Sequence, residues 1–71
     1  MDIETKEAVL KLAGYVVRSM RVGRNVRFMS YQVITDAPPD QPVEILAQAI
    51  NRPTVINLAY NTFLTRQNDA S

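Results

Sequence analysis

The chain has 71 residues, a net charge of +1 and a hydrophobic content of 46%, and it contains neither cysteine nor histidine. These counts exclude disulfides and thiolate metal sites, and they remove the side chain that most often binds metals and titrates near neutral pH. A chain this short forms one small domain with a small core, so self-association is the remaining way to stabilise it, and we expect a homodimer.

No targeting or membrane-spanning segment is recognisable in the sequence. The chain starts Met-Asp-Ile-Glu, which is acidic where a secretory signal is basic. No apolar run approaches the ~18 residues that a membrane helix needs. A cytoplasmic protein is therefore the expectation, and the near-neutral net charge is not typical of a protein devoted to nucleic acid.

Residues 3–21 are predicted to form the first helix. Hydrophobic residues recur there at spacings of three and four, which places them on one helix face. They are Val9, Leu12, Ala13, Val16 and Met20. Gly23 is a natural stop after this pattern. Gly14 lies in the interior of the predicted helix, where glycine costs about 1 kcal/mol relative to alanine.

Residues 25–35 fit a strand and a helix about equally well. The segment is rich in β-branched and aromatic residues, which favour an extended chain, but its alternation is imperfect. A lone strand must find a partner for its backbone groups. The simplest partner in so short a chain is the same strand of a second copy, which also predicts a homodimer.

A proline-rich loop at 36–42 is followed by a predicted short helix at 42–51. The loop contains three prolines, which lack the backbone N–H that a β-ladder or a helix interior requires. Pro42 suits the first turn of a helix, and Asn51 suits its end. The one-sided apolar face of this predicted helix consists of Val43, Leu46, Ala47 and Ile50.

A third helix is predicted at 53–66, in a stretch without a formal charge up to residue 65. Its narrow polar stripe consists of Thr54, Asn57, Asn61 and Thr65. The remaining surface is too apolar for two other helices to cover, so part of it is predicted to be a subunit interface. The predicted interface residues are Val55, Ile56, Tyr60, Phe63 and Leu64. The polar residues 67–71 are expected to be a frayed tail.

Four arginines recur at intervals of three, and the segment from 8 to 35 holds five basic residues and no acidic one. They are Arg18, Arg21, Arg24 and Arg27, with Phe28 and Tyr31 close by in sequence. One interpretation is a surface that contacts phosphates or an acidic protein. The other is a solvated helix end whose arginines pair with acidic residues elsewhere in the fold.

Residues 46–60 faintly resemble a helix-turn-helix, in which Thr54, Asn57 and Asn61 would reach base edges. The spacing counts against it, because little chain is left between Ala47 and Pro53 for the turn between two full helices. A ribbon-helix-helix arrangement with 25–34 as the ribbon is another possibility, although its proline loop is long.

No constellation for catalysis is recognisable. The sequence has no Ser-His or Cys-His pair, no glycine-rich phosphate loop and no metal-ligand spacing. The carboxylates considered for acid–base work are Glu4 and Glu7 in the first turn of a helix and Asp36 and Asp40 in the proline loop. We therefore expect no enzyme, no cofactor and no metal site.

Together these patterns predict a mainly α, three-helix protein that forms a single domain over 1–71 and acts as a homodimer. The expected function is that of a small regulatory, adaptor or inhibitor protein that binds another protein. The alternative is a DNA-binding transcriptional regulator that uses the basic segment 18–27.

Overall fold

A computed structural model of the chain describes residues 2–21 and 29–70, and within them it shows an α+β fold. The elements in chain order are α1 (Ile3–Leu12), β1 (Tyr15–Arg21), β2 (Met29–Thr35), β3 (Ile45–Ala49) and α2 (Arg52–Ala70). The strands form one antiparallel sheet in the order β1-β2-β3. The prediction of a mainly helical three-helix domain is therefore wrong.

Helix α1 ends much earlier than the predicted helix 3–21. It begins at a cap where the backbone N–H of Thr5 donates to the Asp2 carboxylate at 2.9 Å. It ends at Leu12, and Gly14 then takes a positive φ of 94° and turns the chain into β1. The correction has a local cause, because the β-branched and aromatic run that starts at Tyr15 favours an extended chain.

The cap of α1 predicts an acid-side loss of stability. Hydrogen bonds from the side chain and the backbone of Thr5 hold the pKa of Asp2 below its ordinary value of 3.8. Because the pKa is lower in the folded state, the stabilisation is present above pH 3.8 and is lost as the pH falls through the lowered pKa. We expect Asp2→Asn, which keeps a capping oxygen but does not titrate, to lose less thermal stability than the wild type over this range. Melting curves followed by circular dichroism measure it, and parallel pH profiles for the two proteins would contradict it.

Strand β2 is the central strand of the sheet. It overlaps the segment 25–35, which the sequence fits to a strand and to a helix about equally well. It pairs with β1 from Tyr15↔Thr35 to Arg21↔Met29, and with β3 on its other side. Both edges of β2 are thus occupied within one chain. The prediction that this strand pairs with its counterpart in a second copy is wrong.

Strand β3 replaces the predicted helix 42–51. Its entry is fixed by two hydrogen bonds: Thr35 N–H donates to the Glu44 carbonyl, and Glu44 N–H donates to the Thr35 hydroxyl, both at 3.0 Å. The register with β2 shifts between Val33 and Ile34, which leaves Leu46 as an extra residue in a bulge. Pairing with a distant strand overrides the local helical spacing here.

Helix α2 contains the predicted helix 53–66 and continues through Ala70, into the segment expected to be a polar tail. Asn51, expected to end a preceding helix, caps this one: its side chain accepts from the Thr54 N–H at 2.9 Å. Pro53 lies in the first turn, where its missing N–H is not needed.

The core lies between the two helices and one face of the sheet. Its fully enclosed side chains come from every element except β1. They are Leu10, Val33, Leu46, Val55, Ile56 and Ala59. Tyr15 and Val17 of β1 pack at its margin, and the Tyr15 ring meets the Phe63 ring edge-on with centroids 6.1 Å apart. Both helices therefore bury their apolar sides against the same face of the sheet.

Candidate protein-binding surface

The second face of the sheet, called here the helix-free face, faces away from the core. Alternate residues of a strand point to opposite sides. Tyr15, Val17, Tyr31 and Val33 point toward the core, so the residues that alternate with them along the strands lie on the helix-free face. Among the described residues, neither helix contributes to the packing of this face. The face consists of Val16, Arg18, Met20, Ser30, Gln32, Ile34, Ile45 and Gln48.

A row of hydrogen-bonded side chains crosses the middle of the helix-free face. Arg18 Nε donates to Gln32 Oε1 at 2.8 Å, and Gln32 Nε2 donates to Gln48 Oε1 at 3.3 Å. Gln48 Nε2 then donates to the Ser30 hydroxyl at 3.0 Å. Gln32 and Ser30 are buried, and the row satisfies their polar atoms, as buried polar groups require.

Apolar side chains lie on either side of this polar row. Val16, Ile34 and Ile45 lie opposite one another on one side of the row, and Met20 lies on the other side. Met20 is 38% exposed and Ile45 is 47% exposed. Arg18 is the one formally charged side chain among the residues of the helix-free face. The face therefore offers exposed hydrophobic area next to a single guanidinium group, a combination common in protein-binding surfaces.

The arginines do not form one patch in the part of the chain that the structure describes. Arg18 lies on the helix-free face, whereas Arg21, three residues further along the strand, lies on the other face. Tyr31 packs against the core and is not a free aromatic platform. Arg24, Arg27 and Phe28, the remaining members of the predicted contact, lie outside the described residues.

The residues of the predicted subunit interface differ in how far they are buried within their own chain. Val55 and Ile56 are completely buried within their own chain and have no surface left for a second subunit. Phe63 packs partly against the core, and the Tyr60 ring lies under Lys6 with its centroid 5.5 Å from Nζ. Leu64 keeps substantial exposed area on α2.

The residues considered for base contacts also have structural roles. Thr54 belongs to the cap of α2, and Asn57 accepts a hydrogen bond from Lys6 Nζ at 2.7 Å. The carbonyl of Asn61 accepts from the Thr65 hydroxyl at 3.0 Å. The helix pair that a helix-turn-helix requires is absent from 45–70, because 45–49 is a strand. The ribbon of a ribbon-helix-helix is not available either, since β2 is paired on both edges.

Ion pairs join the helices to the rest of the fold. Arg52 at the start of α2 pairs with Glu7 of α1, which also lies 3.9 Å from Lys11. Arg66 pairs with Glu44 at the entry to β3, and this hydrogen bond raises the pKa of Arg66 above its ordinary value. These contacts join α2 to α1 and to the start of β3.

The polar row was missed at the sequence level. Its members are unremarkable singly, and they come together only through the pairing of three strands. A usable signal was the alternation Ser-Tyr-Gln-Val at 30–33, which becomes informative once a strand is assumed there.

Comparison with protein-family models, with curated proteins and with solved structures gives no match for this chain. Within residues 2–21 and 29–70, no helix is long and apolar enough to cross a membrane. In the same residues no cluster of three or more acidic or other metal-binding side chains is placed to hold a metal ion.

Proposed function

We propose that the protein is a small, non-enzymatic regulatory or adaptor protein of the cytoplasm, and that it acts as a homodimer by binding another protein. The observation that carries the proposal is the helix-free face. It exposes hydrophobic side chains that the chain's own helices leave uncovered, and such patches mark interaction sites in soluble proteins.

The chemistry of the face defines the kind of partner. Met20 and Ile45 would pack against hydrophobic side chains of the partner, and the Arg18 guanidinium would face a carboxylate. The hydrogen bond to Gln32 fixes the Arg18 side chain in advance, which lowers the entropy lost on binding. The partner we propose is therefore a protein surface with exposed apolar residues and at least one acidic residue.

A nucleic-acid target is the second candidate, because the segment from 8 to 35 has five basic residues and no acidic one. It would depend on phosphate contacts, so its affinity would fall steeply with salt. A mainly apolar contact at the helix-free face keeps most of its affinity when the salt concentration is raised.

Replacing Met20 and Ile45 together by glutamine is expected to abolish recovery of the partner in a pull-down with the purified protein as bait. The change removes apolar area from the helix-free face and leaves the core intact. The chain offers a matched control on α2, where Leu64 is 39% exposed and Leu58 is 46% exposed. Glutamine at these two positions removes similar exposed apolar area from the opposite side of the molecule and should leave recovery unchanged.

Two results would overturn the proposal. If only the α2 control variant fails to recover the partner, the docking surface lies on helix α2 and not on the sheet. Recovery of nucleic acid alone, with binding that disappears at moderate salt, would favour the second candidate.

A further inference from the structure

We draw no further inference here: the strongest candidate, the outer edge of strand β1 at one side of the sheet, pairs with no strand in the described part of the chain, and nothing in the structure shows what covers it.

Discussion

Ile56→Ala is expected to lower the free energy of unfolding by about 2 to 5 kcal/mol. The Ile56 side chain is completely buried, in a core that α1, α2, β2 and β3 all contribute to. A domain of this size has a total stability of roughly 4 to 10 kcal/mol, so the variant would lose a large part of it. Urea unfolding followed by circular dichroism measures the change.

Leu58→Ala is the matched control on the same helix, two residues away. Leu58 is 46% exposed, so its truncation removes little buried area and should cost under about 1 kcal/mol. Equal losses for the two variants would mean that α2 does not bury the face described here. In that case the apolar side chains of α2 would have to be covered by a second subunit, as the sequence alone had suggested.

Gly14→Val is expected to cost about 1 to 3 kcal/mol, through the backbone and not through crowding. Gly14 has a φ of 94°, a conformation that a β-branched residue rarely adopts, whereas a Cβ atom built there meets nothing within 4 Å. Gly14→Asn should cost less, because asparagine tolerates left-handed conformations better. Chemical unfolding of both variants gives the comparison.

The order of the two Gly14 variants is the informative result. If steric contact controlled the position, valine and asparagine, which are similar in size, would destabilise the protein similarly. Equal and small losses would show that the turn between α1 and β1 does not require a positive φ.

The sequence predicted the last helix and failed at the two segments where a helical spacing coincides with a strand. Val16 and Met20 lie four apart, which fits one face of a helix and equally fits alternate positions of a strand. The predicted helix 42–51 fails in a related way, because Leu46 and Ala47 of its apolar face lie in β3 whereas Ile50 lies just beyond the strand. Gly14 followed by Tyr-Val-Val was the local evidence for a turn and a strand, and the periodicity outweighed it.

The surface was harder to predict than the fold, for a physical reason. The contact between Arg18 and Gln32 spans 14 positions and that between Gln32 and Gln48 spans 16. Such contacts depend on the register in which the strands pair, and a shift of one residue would move each of these side chains to the other face. The basic segment 18–27 was visible in the sequence, but an interval of three places successive arginines on opposite faces of a strand. Only knowledge that 15–21 is a strand separates Arg18 from Arg21.

The contact between the first and last helices determines when the protein can fold. Lys6 bonds to Asn57 across 51 positions, and Glu7 pairs with Arg52 across 45. The three strands leave the ribosome before α2, and Val33 has no Val55 or Ile56 to pack against until α2 follows. The core therefore closes only after α2 has been synthesised, and contacts this distant in sequence make folding slower than in a helical bundle of equal length.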